Sequence, residues 1–223
     1  MTREKKQNLK ITNYIKHHKK KTVFLVFLLI CYALCLPKEL FTKPTSTVIT
    51  GSNDALLGAL IAKDGQWRFP HNDSVPKKFK TCLIQFEDEH FYRHPGFNPV
   101  SIFKAFKQNL QAGTVKRGGS TITQQVIRLS RDDKSRTYFE KLKELVLSTR
   151  LEFSVSKEKI LAFWSSNAPF GGNVVGLDAA SWRYFNRKST DLSWAESATL
   201  AVLPNAPNLI YPGKNQQKLF FLK

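Results

Sequence analysis

Residues 87–96 read Glu-Asp-Glu-His-Phe-Tyr-Arg-His-Pro-Gly and form a dense cluster of polar side chains. The cluster follows an apolar run, Cys82–Phe86, and precedes Asn98-Pro99, a pair typical of a helix start. A carboxylate directly after an apolar run is partly desolvated, which raises its pKa toward the range useful to a general base. Glu87 is therefore the candidate base, and a solvated helix end is the alternative that composition leaves open.

A second stretch, residues 117–125, reads Arg-Gly-Gly-Ser-Thr-Ile-Thr-Gln-Gln. Glycine lets a backbone approach a ligand closely, and the hydroxyls and amides that follow suit a phosphate or a sugar. Arg128 and Arg131 come next and add positive charge. An ordinary Gly-rich loop with an N-cap serine accounts for the same residues, so this stretch alone leaves both alternatives open.

Periodicity and caps predict that helices dominate after Pro76, behind a small β element. The predicted helices with clear boundaries are residues 99–113, about 135–153, 157–165 and 193–203. Extended segments at residues 48–49 and 56–61, separated by a turn, predict a hairpin-like pair.

The helix at about 135–153 presents two different faces. Its predicted buried stripe consists of Phe139, Leu142, Val146 and Thr149. Lys141 and Glu144 share another face with Ser148, because residues three and seven positions apart lie on one side of a helix.

Composition excludes two classes of protein and points to an anionic partner. The chain has 223 residues, of which 42% are hydrophobic, so it is not intrinsically disordered. Its three cysteines cannot form a disulfide framework and lack zinc-ligand spacing. The net charge of +18 indicates nucleic acid, an anionic membrane surface or a phosphate-bearing substrate.

The first 36 residues predict a membrane anchor. Residues 1–21 carry eight basic side chains and one acidic side chain, a net charge of +7, and Thr22–Leu36 has no charged residue. The lysines hold that end in the cytoplasm by the positive-inside rule. Bulky residues before Pro37 favour an uncleaved signal anchor over the alternatives, a cleaved signal peptide or a buried helix. The remaining +11 then lies in the exported part, which argues against a nucleic-acid binder.

Five motifs follow one another along the chain: Glu87-Asp-x-x-Phe91-x-x-His94-x-Gly96, Gly118-Gly-Ser-Thr-Ile-Thr-Gln-Gln125, Arg136-Thr…Lys141-x-x-Glu144…Leu151-Glu152, Lys157-x-x-Ile-Leu161…Ala168-Pro-Phe-Gly-Gly172 and Leu192-Ser…Glu196…Leu200-Ala-Val-Leu-Pro204. This ordered set resembles glycosyltransferase family 51, the peptidoglycan glycosyltransferases. The stretches Gly65–Pro70 and Ala168–Gly172 resemble class A penicillin-binding proteins of the 1C type.

This resemblance implies a mainly α fold: a lysozyme-like glycosyltransferase domain, a small β element near the membrane and one N-terminal transmembrane helix. The implied organisation is a cytoplasmic basic tail (1–21), a transmembrane signal anchor (22–36), a juxtamembrane linker and β-hairpin region (37–75), the glycosyltransferase domain (76–212) and a linker truncated before a transpeptidase domain (213–223). The catalytic domain is expected on the periplasmic or extracytoplasmic side of a bacterial cytoplasmic membrane.

The implied reaction polymerises lipid-linked disaccharide-peptide (lipid II) into glycan strands by inverting transfer, with loss of undecaprenyl pyrophosphate. Glu87 matches the catalytic base that takes the proton from the acceptor 4-hydroxyl, and Glu144 matches the second catalytic carboxylate, near the donor pyrophosphate. The substrate-binding residues implied by the motifs are Asp88, Phe91, His94, Gly96, Lys104, Arg117, Gly119, Ser120, Thr121, Gln124, Gln125, Arg128 and Lys141. Arg117, Arg128 and Lys141 can supply the positive charge that a pyrophosphate leaving group needs.

The expected partners are lipid II, the growing glycan strand, the membrane and cell-wall synthesis proteins, with no nucleic acid. No metal-ligand residue and no certain cofactor is predicted, and a divalent cation, Mg²⁺ or Mn²⁺, at the pyrophosphate is left open. Arg128 and Leu129 depart from the family's usual Lys and Asn, and Trp164-Ser165-Ser166 departs from its Tyr-Leu-Asn. The alternatives are a truncated, weakly active or inactive homologue that binds lipid-linked precursor or cell-wall partners, and a muramidase-type hydrolase with paired carboxylates.

Overall fold

The computed structural model describes residues 18–52, 55–112, 119–132 and 137–205. The chain divides into two units, residues 1–38 and 39–223. In the first unit, helix α1 spans Lys19–Leu34 and overlaps the predicted anchor segment. Within the described ranges, no helix is both long enough and apolar enough to cross a membrane. Most of the predicted basic tail, residues 1–17, lies outside the described residues.

In its described residues, the second unit is mainly helical with four short strands, as the sequence predicts for a mainly α domain. Its strands are β1 (Thr47–Thr50), β2 (Leu56–Leu60), β3 (Trp67–Arg68) and β4 (Val174–Val175). Its α-helices are α2 (Lys77–Glu87), α3 (Pro99–Ala112), α4 (Ile122–Ser130), α5 (Tyr138–Glu152), α6 (Lys157–Asn167), α7 (Leu177–Phe185) and α8 (Trp194–Val202). Single 3₁₀ turns occur at Phe91–Arg93, Ser189–Asp191 and Leu203–Asn205.

The four strands form two separate pairs. Strands β1 and β2 form the predicted antiparallel hairpin, in which Thr47 lies opposite Leu60. Strands β3 and β4 pair in parallel, with Trp67 opposite Val174. The second pair was not predicted, because two-residue strands so far apart in the chain leave no local pattern to read.

Side-chain caps explain where the helices begin. Asn98 Oδ1 accepts a hydrogen bond from the Ser101 amide at 3.1 Å, and Ser156 Oγ accepts one from the Lys159 amide at 3.2 Å. Ser193 starts α8 with a full capping box, in which Glu196 Oε2 accepts a hydrogen bond from the Ser193 amide. Each cap satisfies a backbone donor that the helix leaves free, and is worth about 1 kcal/mol.

The core lies where α4 packs between α5 and α6, and where α2 packs against α8. Phe79, Trp164 and Phe170 form an aromatic cluster whose ring centroids are 6.2–6.4 Å apart. All three side chains are fully buried, and burying a large apolar side chain stabilises a fold by roughly 1.5–3 kcal/mol. This cluster connects α2 to α6 and to the loop before β4.

The predicted buried stripe of α5 is wrong. Phe139, Leu142 and Val146 are 64%, 59% and 39% exposed, whereas Glu144 and Ser148 are buried. Helix α5 turns its polar face inward because α4 presents polar side chains to it, and these need hydrogen-bond partners away from water. The apolar stripe is left on the surface of the described part of the domain.

Candidate active site

Glu87 is the last residue of α2, and two side-chain amides hold its carboxylate. Gln125 on α4 donates from Nε2 to Oε2 at 2.6 Å, and Asn205 donates from Nδ2 to Oε1 at 2.6 Å. Each oxygen keeps a lone pair free, so the carboxylate can still accept a proton from a third group. The side chain is half-buried and is held by residues from two other segments of the chain, α4 and the turn after α8.

Burial raises the pKa of Glu87 above its ordinary value, and the neighbouring Asp88 adds to the increase. The two amide donors and the positive charge of Arg128 act in the opposite direction. The carboxylate is therefore more basic than an ordinary surface glutamate, yet it has donors that stabilise its charged form. This balance suits a residue that must take up a proton near neutral pH.

Asp88, the next residue, is buried and contacts groups other than those that hold Glu87. Its buried carboxylate lies 2.9 and 3.0 Å from His94 Nε2, and it accepts a hydrogen bond from the Ile122 amide at 3.1 Å. Because Ile122 is the first residue of α4, this carboxylate ties the end of α2 to the start of α4. The same contact sets the position of Glu87 relative to Gln125.

Three further residues predicted to bind substrate lie in the interior. Phe91 is fully buried. Gly96 adopts φ +92°, and a Cβ atom there would come within 2.7 Å of the Ser148 carbonyl oxygen on α5. The Gly96 carbonyl accepts a hydrogen bond from Thr121 Oγ1 at 2.7 Å, and Thr121 also caps α4. Glycine at position 96 thus allows the close approach of this loop to α5.

Glu144 is the centre of a second polar cluster. Its Oε1 accepts a hydrogen bond from Arg128 Nε at 3.1 Å, and its Oε2 lies 3.2 Å from Lys141 Nζ. Lys141 Nζ also donates to Ser120 Oγ at 2.8 Å and to Gln124 Oε1 at 3.0 Å. Two cations therefore surround one buried carboxylate, which leaves these three charged groups with a net charge of +1.

Helix α4 connects the two carboxylate clusters. Gln124 contacts Lys141 in the Glu144 cluster, and its neighbour Gln125 contacts Glu87. Arg128, one turn further along, binds Glu144, and its positive charge also opposes the increase in the pKa of Glu87. The sequence predicted both glutamates as site residues. In the structure, side chains of the nine-residue helix α4 contact both of them.

The other predicted residues are less closely connected. Gly119 directly precedes Ser120 and is half-buried. Lys104 is exposed on α3, and among the described residues no hydrogen bond or ion pair joins it to either cluster. Arg117 lies outside the described residues.

Sequence reasoning missed two groups at the Glu87 end. Asn205 lies just after α8 and contacts Glu87. In the sequence it is marked only as a polar residue that follows an apolar helix. Trp164 on α6 donates from Nε1 to Gln125 Oε1 at 2.9 Å. The tryptophan stood out as a departure from the motif, but its partner was not evident from the sequence.

A metal held by the protein does not fit the described residues. Within them, no three His, Cys, Asp or Glu side chains converge as a ligand set. Glu144 is already engaged by two cationic side chains.

Comparison with known proteins gives matches over most of the chain. The family model described as Transglycosylase matches residues 54–220. Penicillin-binding protein 1C of Escherichia coli (strain K12) is 38% identical over 179 residues, which are 80% of this chain and 23% of that protein. Penicillin-binding protein 1F of Bacillus subtilis (strain 168) is 35% identical over 150 residues, 66% of this chain and 21% of that protein.

A third relative, penicillin-binding protein 1A of Clostridium tetani (strain Massachusetts / E88), is 35% identical over 176 residues, 77% of this chain and 22% of that protein. The chain thus spans between a fifth and a quarter of the length of these relatives. The two glutamates lie inside the matched region, on a mainly helical domain. The chain belongs to the transglycosylase family.

Proposed function

We propose that this chain is a peptidoglycan glycosyltransferase that polymerises lipid II into glycan strands. The observation that carries the proposal is that two glutamates, both contacted by side chains of α4, have contrasting surroundings. Glu87 is held by neutral amides, and Glu144 is held by two cations. The neutral surroundings of Glu87 suit a general base, and the cationic surroundings of Glu144 suit an anionic leaving group.

Glu87 acts as the general base in this proposal. It removes the proton from the acceptor's 4-hydroxyl as that oxygen attacks the anomeric carbon of the donor sugar. The bond between the anomeric carbon and the pyrophosphate oxygen breaks, and undecaprenyl pyrophosphate leaves with the bonding electrons. A single displacement inverts the anomeric carbon, so no nucleophilic side chain is required. The raised pKa of Glu87 supports this role.

The Glu144 cluster acts on the donor pyrophosphate. Lys141 and Arg128 supply positive charge where negative charge grows as the glycosidic carbon–oxygen bond breaks. Ser120 and Gln124 contribute neutral polar groups beside Lys141. Glu144 contacts both Lys141 and Arg128 and so holds the two cations close together beside the donor pyrophosphate.

The remaining motif residues divide into two groups. Gly119, Arg117 and Lys104 are proposed to contact substrate. The two basic side chains carry positive charge, and glycine lets the backbone approach a ligand closely. A positioning role is proposed for the buried residues, which support the site from behind: Asp88, Phe91, His94, Gly96 and Thr121.

We also place the domain at the outer face of a bacterial cytoplasmic membrane, held by the segment Thr22–Leu36. The basic tail before that segment supports this orientation. The exposed apolar stripe of α5, formed by Phe139, Leu142 and Val146, supports contact with a lipid surface.

The test is polymerisation of fluorescently labelled lipid II by the full chain in detergent, with Glu87→Gln as the control. The proposal expects long glycan strands with the natural chain and none with the variant. Binding of lipid II without products would identify an inactive precursor-binding homologue. Release of reducing sugar ends from preformed glycan strands would identify a hydrolase. Either result would overturn the proposed function.

A further inference from the structure

A chain of two hydrogen bonds leads from the aromatic core to the Glu87 carboxylate. The indole Nε1 of Trp164 donates to Gln125 Oε1 at 2.9 Å, and Gln125 Nε2 donates to Glu87 Oε2 at 2.6 Å. These three residues come from α6, α4 and α2. Gln125, the middle residue, has a neutral side-chain amide with an acceptor, Oε1, and a donor, Nε2, of nearly the same shape.

The orientation of that amide decides what Glu87 can do. A glutamine side chain can rotate its terminal group by half a turn with almost no change of shape, so its neighbours select the orientation. If Gln125 turned its oxygen toward Glu87, two acceptors would lie at hydrogen-bonding distance. Glu87 would then have to carry a proton between them, and a protonated carboxyl cannot act as a base.

Trp164 removes this ambiguity because an indole N–H can only donate. It occupies the oxygen of Gln125 and leaves the amide NH₂ group for Glu87. The indole itself is fixed: its side chain is 1% exposed, and its ring centroid lies 6.2 Å from those of Phe79 and Phe170. A buried, rigid donor is therefore available to select the amide orientation.

We propose that Trp164 is a positioning residue, whose indole N–H holds Gln125 in the one orientation that donates to Glu87. Its catalytic consequence rests on the proposed function, whereas the hydrogen-bond chain can be tested without any turnover. Among the described residues, the charged groups that act on Glu87 are Arg128 from α4 and Asp88 beside it. Its contacts from α4 and from the segment after α8 are the neutral amides Gln125 and Asn205.

The first experiment measures the pKa of Glu87 by the pH titration of its ¹³C-labelled side-chain carboxyl, assigned with Glu87→Gln. Trp164→Phe should raise the pKa of Glu87 by about one unit, because the donated bond to the charged carboxylate is weakened. Gln125→Leu should give a shift of similar size. Combining both substitutions should add nothing to the shift of Gln125→Leu alone, because the indole acts only through Gln125.

Phe170→Leu is the matched control, since it disturbs the same aromatic cluster without removing the N–H donor. It should lower the melting temperature and leave the pKa of Glu87 unchanged. An equal pKa shift in Phe170→Leu would show that Trp164 acts only through packing. No shift in Trp164→Phe, or additive shifts in the double variant, would also overturn the proposal.

A second measurement uses the natural chain, in case Trp164→Phe does not fold. The indole N–H resonance of Trp164 should move with pH at the midpoint of the Glu87 titration, because the two groups share Gln125. The exposed Trp194 provides an internal control and should not follow that midpoint. A Trp164 resonance that ignores the ionisation of Glu87 would contradict the proposal.

Turnover provides a separate readout. In Trp164→Phe, the acid limb of kcat should move to higher pH by the same amount as the pKa of Glu87, which gives about tenfold slower polymerisation below the limb. An inactive natural chain with an intact titration would reject the proposed function and leave the hydrogen-bond chain standing. A normal acid limb in an active Trp164→Phe variant would reject the positioning role.

Discussion

Asn205 donates a 2.6 Å hydrogen bond to Glu87 although 118 residues separate them in the chain. Gln125 holds the other carboxylate oxygen at the same distance from α4. The carboxylate at the end of α2 is therefore fixed from two sides by segments that meet only in the folded domain.

Replacing Glu87 by glutamine should abolish polymerisation without harming the fold. Glutamine keeps the shape but cannot accept the acceptor's proton, and general base catalysis is typically worth about 10²–10⁴-fold. Strand synthesis from labelled lipid II measures the loss. Turnover near that of the natural chain would place the base elsewhere.

The same substitution should change how stability depends on pH. Because the folded-state pKa of Glu87 is raised above its ordinary 4.5, the native chain binds this proton more tightly than the unfolded chain does. The carboxyl's contribution to stability is therefore present below pH 4.5 and decreases as pH rises to the folded-state pKa. Urea unfolding across this window should show Glu87→Gln gaining stability relative to the natural chain as pH increases. A relative loss would contradict a raised pKa.

Lys141→Ala should lower the turnover number by about 10²–10³-fold and weaken donor binding far less, because the ammonium group acts on charge that develops in the transition state. Lys143→Ala is the matched control on the same helix: Lys143 pairs with Glu140 at 3.1 Å and is about as exposed as Lys141. Such an exposed pair is worth roughly 0.2–0.5 kcal/mol. If the two variants had equal turnover numbers, Lys141 would only be a surface ion-pair residue.

Gly96→Ala should reduce the free energy of unfolding by about 2–5 kcal/mol, because the new Cβ both strains the backbone and meets the Ser148 carbonyl. Gly65→Ala is the control, since Gly65 has a similar φ of +74° but open space around the new atom. It should cost about 1–2 kcal/mol. Urea denaturation of both variants compares the two, and equal losses would show that the contact with α5 is unimportant.

Protease treatment of spheroplasts that express the chain tests the anchor. The charge-free segment behind a lysine cluster should remain uncleaved, so residues after Lys38 should be digested while the basic tail is protected. Release of a shorter chain that lacks residues 1–36 would show a cleaved signal peptide.

The sequence by itself determined the elements whose signals are local. Asn98, Ser156 and Ser193 start helices because a short polar side chain can satisfy a nearby backbone donor wherever the chain turns into a helix. Glu87 stood out because a carboxylate that follows an apolar run is desolvated in most folds. The ordered motifs were also sufficient to predict the family, which the comparisons show.

Only the tertiary structure decided which face of each element meets which neighbour. Periodicity located α5 but predicted the wrong face, because the polar surface of α4 makes the side with Glu144 and Ser148 the buried one. The contacts of Asn205 and Trp164 with the site, and the pairing of β3 with β4, join segments far apart in sequence. Such contacts depend on how the whole chain closes around its core, and no local pattern of residues encodes them.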